Sequence, residues 1–133
     1  MARLTEEIKG LIDKQKVITV ATASKDGLPN VVPMSFVKVY DDDNLLIVDN
    51  FMNKTRDNLE NNPNMAICVW DTEKKKSYQI KGNVSIHTSG TVFDAAVSWV
   101  KEVNPKLQPK SAVLLRVDKI YVCQPGSDLG KEL

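Results

Sequence analysis

The sequence predicts an α+β fold in which six antiparallel strands close into a small barrel with helices outside. Short β-branched runs follow one another at hairpin spacing, turn residues rather than crossover helices join the first three, and apolar helical spacing is confined to two segments. No strand is followed by GxGxxG, so a doubly wound parallel sheet is the weaker alternative.

Leu4, Ile8, Leu11 and Ile12 recur at helical spacing among acids and lysines, which predicts an amphipathic helix over about residues 4–14 lying on the sheet. Val17 to Ala23 is the first strand, ending in Ser24-Lys25-Asp26-Gly27, where Asp-Gly suits a hairpin turn. Asn30 to Tyr40 reads as one long second strand. Pro33 within it has no N–H for the ladder, and an edge position, a bulge and a ligand-facing position all fit it. Asp41 to Asn44 is a turn and Leu45 to Val48 the third strand. Met65 to Trp70 and Ser77 to Ile86 follow as a meander, with Gly82 marking a bulge. Phe93, Ala96, Val97 and Val100 form a second substantial helix, with Thr91 as its cap and Asn104-Pro105 as its stop. Ala112 to Cys123 is the closing strand.

The 133 residues fit one domain, and neither a repeat nor a linker divides them. With 18 basic and 17 acidic residues the net charge is +1, which gives no electrostatic footprint for nucleic acid. Cys68 and Cys123 sit in apolar strands and read as small hydrophobes, so no disulfide framework or metal site is expected. The amino-terminal MARLTEEIKGLIDKQ carries charges inside its apolar pattern and is neither a signal peptide nor a membrane span. A soluble cytoplasmic protein is expected. His87, the single histidine, lies near no nucleophile motif and reads as solvated or capping; the Asp41–Asp43 run reads as a solvated turn.

One segment does not serve a core. Between Asn53 and Asn62 the helix-like stretch NKTRDNLENN offers only Leu59 for burial, and a helix this short is marginal alone. Its first turn would present unpaired N–H groups and the positive end of the helix dipole, with Asn53 as N-cap, Lys54 as a cation and the Thr55 hydroxyl as a donor. Those are the parts of a phosphate site. The competing reading is a capped polar helix whose Lys54 and Arg56 are merely solvated.

TASKDGLPNVVPMSF, LLIVDNFMNKTRDNLENNPNMAICVW and YQIKGNV, taken in order, resemble the flavin-binding split-barrel proteins related to pyridoxamine 5'-phosphate oxidase, over about residues 5–122. The resemblance is most specific where a strand end is followed by Lys54-Thr55 and a helix stopped at Asn62-Pro63. It implies a split barrel and bound FMN, whose phosphate would meet Lys54 and Thr55 with Asn53 at the preceding polar position. The isoalloxazine ring would lie along Val32, Pro33, Met34 and Ser35 of the second strand and Val48, Asp49 and Asn50 of the third, hydrogen-bonded largely by backbone. Met34 fits either the ring's face or the core. It further implies a homodimer with flavin at the subunit seam; Trp70 is the better seam candidate and Trp99 the better packing residue.

Two departures qualify the resemblance. The tail QPGSDLGKEL has no Arg or His of the kind that grips substrate in true pyridoxamine 5'-phosphate oxidases, which disfavours vitamin B6 oxidation. Val31, Val32 and Pro33 stand where several members carry an arginine. The expected function is therefore an FMN-dependent oxidoreductase or electron carrier, with a small molecule or a protein as redox partner. The alternatives are an F420-dependent reductase and a cofactor-free binding module.

Overall fold

The computed structural model of the chain describes residues 3–133; Met1 and Ala2 of the predicted amino-terminal segment lie outside the described residues. Three helices, α1 (Glu6–Lys14), α2 (Lys54–Asn61) and α3 (Thr91–Val103), accompany seven strands: β1 (Ile18–Ala23), β2 (Pro29–Met34), β3 (Val37–Val39), β4 (Asn44–Asp49), β5 (Asn64–Asp71), β6 (Lys76–His87) and β7 (Ser111–Val122). All pair antiparallel in one sheet of order β2-β1-β5-β6-β7-β4-β3. The α+β class and the hairpin connections agree with expectation, but the strands number seven and not six.

The difference lies in Asn30 to Tyr40. This run breaks at Ser35–Phe36, and its halves pair with opposite ends of the sheet, β2 with β1 and β3 with β4. Apolar content continues across the break, so nothing in the pattern announces it. Because a two-residue link spans at most about 10 Å from Met34 to Val37, the two edges must lie side by side. The sheet is therefore curled into a half-barrel with a seam between β2 and β3. Pro33, opposite Thr19 on edge strand β2, occupies the position where a missing N–H costs least.

The curl encloses the main core, including Val20, Leu45, Ile47, Ile67, Ile80, Val113, Leu115 and Ile120. Helix α1 covers it with Ile8, Leu11 and Ile12, joined by Leu4 just before the helix, and starts where the Thr5 hydroxyl accepts the Ile8 N–H at 3.2 Å. A second cluster lies on the other face of β4 and β7, where Leu46, Val48 and Ala112 meet Ala96 and Val100 of α3. Strand β4 is apolar from Leu45 to Val48 because both its faces are buried. Trp99 packs on α3's sheet side, edge-on to Phe36 at 5.2 Å and under the Lys38 ammonium at 4.4 Å. Helix α3 begins one residue earlier than a Thr91 cap requires: Gly90, at φ 91°, holds the cap position and Thr91 is its first residue. Trp70 is 41% exposed.

The register shifts between Lys81 and Gly82. Lys81 faces Lys119 and Gly82 faces Val117, so the extra residue is Asp118 of β7, and Gly82 is the residue the bulge crowds. Asp118 and Lys119 are both exposed.

Each acid of the Asp41–Asp43 run has a partner. Asp41 accepts the Asp43 N–H and the Asn44 amide, Asp42 pairs with Lys9, and Asp43 pairs with Arg3. His87 faces Ser85 Oγ at 2.8 Å. No helix among the described residues is long and apolar enough to cross a membrane.

Candidate functional site

A cleft of about 470 Å³ opens where the seam meets the end of β4 and the start of α2. That volume lies within the range of small-molecule sites. Nine of the ten residues singled out in the sequence line it: Val32, Pro33, Met34 and Ser35 from β2 and the link, Val48 and Asn50 from β4 and its exit, and Asn53, Lys54 and Thr55 at the start of α2. Met34 also packs on the main core, so its two readings meet in one side chain.

Asp49 does not line the cleft. Its side chain is fully buried beneath the 50–53 loop, where Oδ1 accepts the Met52 N–H at 2.9 Å and Oδ2 accepts Arg56 Nη1 and the Ser111 hydroxyl, each at 3.0 Å. Strand alternation explains this: with Val48 turned to α3 and the cleft, Asp49 must point inward. Arg56 is correspondingly not solvated. It donates from Nη1 to Ser111 Oγ at 3.0 Å and from Nε to Glu60 at 2.8 Å. Burial works against its charge, yet the bonds to Asp49 and Glu60 prevail and raise its pKa. Lys110 adds a strap from β7's approach, its ammonium 3.1 Å from the Met52 carbonyl. Charged side chains thus hold both the N–H and the carbonyl of Met52 in the loop.

At the α2 end, Asn53 occupies the N-cap position but its side chain makes no capping bond. The first-turn N–H groups, which a helix cannot pair internally, are therefore not capped by it. Lys54 is exposed and forms no ion pair among the described residues. Thr55 is 4% exposed, and its hydroxyl accepts from the Asn30 amide at 3.1 Å. Beside them, Asn50 Oδ1 is buried without a hydrogen-bond partner, the only such side-chain atom among the described residues. Leaving a buried acceptor unpaired costs about 1–3 kcal/mol, which a donor on an occupant of the cleft would recover.

Five further residues line the cleft that the sequence reading did not single out: Asn30, Phe36, Phe51, Met52 and Leu107. Asn30 was accessible by alternation, since Asn30, Val32 and Met34 share one face of β2. Leu107 was not, because it arrives from the α3–β7 connection, fixed there by Lys101 donating to the Pro105 and Leu107 carbonyls.

An apolar slot along the seam with an uncapped, basic helix start at one end suits a flat ring carrying an anionic tail. The sequence pattern of pyridoxamine 5'-phosphate oxidase matches residues 4–124, nearly the whole chain. The chain belongs to that family. Within its reach, an uncharacterized protein of Methanocaldococcus jannaschii is 38% identical over 133 residues, 98% of this chain and 88% of that one. The structure of HupZ from Group A Streptococcus is 31% identical, covers 95% of this chain and 98% of its own, and superposes with a TM-score of 0.82. An FMN-binding protein of Syntrophomonas wolfei shares the fold at TM-score 0.80 with 18% identity, over 92% of this chain and 88% of its own. The fold is also that of an F420 reductase (TM-score 0.65, 17% identity, 84% of this chain and 94% of its own) and of HutZ, the haem storage protein of Vibrio cholerae (0.67, 20%, 91% and 95%).

Proposed function

We propose that the cleft binds FMN and that the protein is a cytoplasmic flavin oxidoreductase or electron carrier acting as a homodimer. The observation that carries this reading is the orphaned Asn50 acceptor beside an uncapped, cationic helix start in an otherwise apolar cleft. A phosphate monoester carries a charge near −2 and accepts hydrogen bonds only. Lys54, the Thr55 hydroxyl and the first-turn N–H groups would receive it. Asn50 Oδ1 would accept from an N–H of the ring, and Val32 to Ser35 with Val48 would fix the ring's plane. Phe36, Met52 and Leu107 would keep water from it. Bound FMN supplies the electron chemistry, and the chain's residues supply position and exclusion of water. Phe51, at the cleft's mouth, is 81% exposed in the single chain, which supports a second subunit completing each site.

Haem fits less well. Haem iron takes His, Cys, Met or Tyr as axial ligands, and of these the cleft lining offers only Met34 and Met52.

The test is titration of the purified apoprotein with FMN and with F420, followed by flavin fluorescence and melting temperature. Saturable FMN binding with a raised melting temperature is expected, because a ligand of the native state alone stabilises it by mass action. Lys54→Ala should weaken FMN by about 1 kcal/mol, roughly fivefold in Kd, since an exposed cation is partly screened. Uptake of F420 in preference to FMN would replace the cofactor. Uptake of neither would leave a binding module without redox chemistry.

A further inference from the structure

We propose that Asn30 is a positioning residue that fixes the Thr55 hydroxyl as a hydrogen-bond donor into the cleft, and thereby makes the site select a phosphorylated flavin over its unphosphorylated counterpart. The inference rests on the FMN reading and concerns how the phosphate end discriminates.

A hydroxyl has one proton and two acceptor positions. Thr55 Oγ accepts the Asn30 amide at 3.1 Å, so one acceptor position is taken, and its proton has no acceptor among the described residues. Thr55 is nearly buried, lines the cleft and stands in the first turn of α2. The proton is therefore left for whatever occupies the cleft. Asn30 is itself oriented: its amide nitrogen also donates to Thr22 Oγ at 3.2 Å. Thr22, 5% exposed, accepts a second amide at 3.0 Å from Asn58, one turn further along α2. Asn30 and Asn58 both present their amide nitrogens to Thr22 Oγ, and Asn30 Nδ2 also donates to Thr55. Direction thus passes from the barrel strand β1, through β2, to the first turn of α2.

A donor locked in place favours a ligand that only accepts, which describes a phosphate dianion. An alcohol or amine at the same position would meet proton against proton unless it turned a lone pair inward. Riboflavin shares the ring of FMN and ends in such an alcohol.

The experiment measures Kd for FMN and for riboflavin by quenching of flavin fluorescence, in wild type, Asn30→Ala, Asn30→Asp, Thr55→Val and the double variant Asn30→Ala/Thr55→Val, with melting curves for each. In wild type FMN should bind more tightly than riboflavin. Asn30→Ala and Thr55→Val should each weaken FMN about tenfold, the scale of one bond to a charged group, and leave riboflavin unchanged. The double variant should lose no more than Thr55→Val alone, since Asn30 acts through Thr55. Asn30→Asp keeps the side chain's shape, so it serves should the alanine variant not fold. Its carboxylate would draw the Thr55 proton to itself, and FMN should weaken beyond the alanine value with riboflavin again unchanged. Equal losses for both flavins, or a full effect of Asn30→Ala in the Thr55→Val background, would overturn the role of Asn30 while leaving the FMN reading intact. Wild type that takes up neither flavin would overturn the FMN reading, and this inference with it.

Discussion

Asp49 fixes a loop, a helix and a strand with one carboxylate. Through Met52 it sets the turn out of β4, through Arg56 it anchors α2, and through Ser111 it ties both to β7. Replacing it by Asn keeps the shape and removes the charge. Stranding a fully buried partner costs about 3–5 kcal/mol; Arg56 is 26% exposed and retains Glu60, so about 2 kcal/mol is the expected loss for Asp49→Asn. Urea unfolding would measure it, and an unchanged midpoint would show that the network contributes nothing to stability. FMN affinity should fall with it, because the loop carrying Asn50 would lose its support. From the sequence Asp49 and Asn50 looked alike, two polar residues at a strand end. Only the alternation of β4 separates them, and with Leu45 to Val48 apolar on both faces the alternation was not visible.

Among the elements, β6 and β7 run side by side, and at Gly82 the backbone of β7 comes close. A Cβ built there would lie 1.9 Å from the Arg116 carbonyl oxygen and 3.1 Å from the Leu115 methyl. Backbone cannot yield as a flexible side chain can. Gly82→Ala should therefore destabilise by at least about 1–3 kcal/mol, the range of overpacked cores, through separation of the two strands. A melting curve checks this; a variant as stable as wild type would mean that the bulge relaxes freely. The bulge was legible at Gly82, whereas its extra residue, Asp118, lay hidden in a run read as one unbroken strand. Helix α2 was legible too, from Asn53 at its start and Asn62-Pro63 at its stop, although its first turn is left uncapped. The division of β2 from β3 was not. Local pattern reports which residues are extended, and the partner of each half is settled only when the whole sheet has curled.

For the molecule as a whole, the proposal of a homodimer predicts a mass. Sedimentation equilibrium should give twice the 14.8 kDa of one chain. A monomer that still binds FMN with full affinity would show that the cleft is complete within one subunit. That two core clusters flank β4 explains why composition and hydropathy made the fold class readable while the cleft's far wall, supplied by Leu107, was hidden.

The two-residue link at Ser35–Phe36 has a bearing on how this protein would respond to mutation. Because β2 and β3 stand at the ends of the sheet, their facing edges carry backbone groups with no strand to pair with, and these border the cleft. Recognition spread along such a slit belongs to the path of the main chain and not to the side chains upon it. Exchanging Val32 for Ile would leave that path as it was. Inserting one residue between Met34 and Val37 would loosen the tie between the two edges while β3 kept its register on β4, so tolerance of substitution and intolerance of length change would coincide at the same few positions.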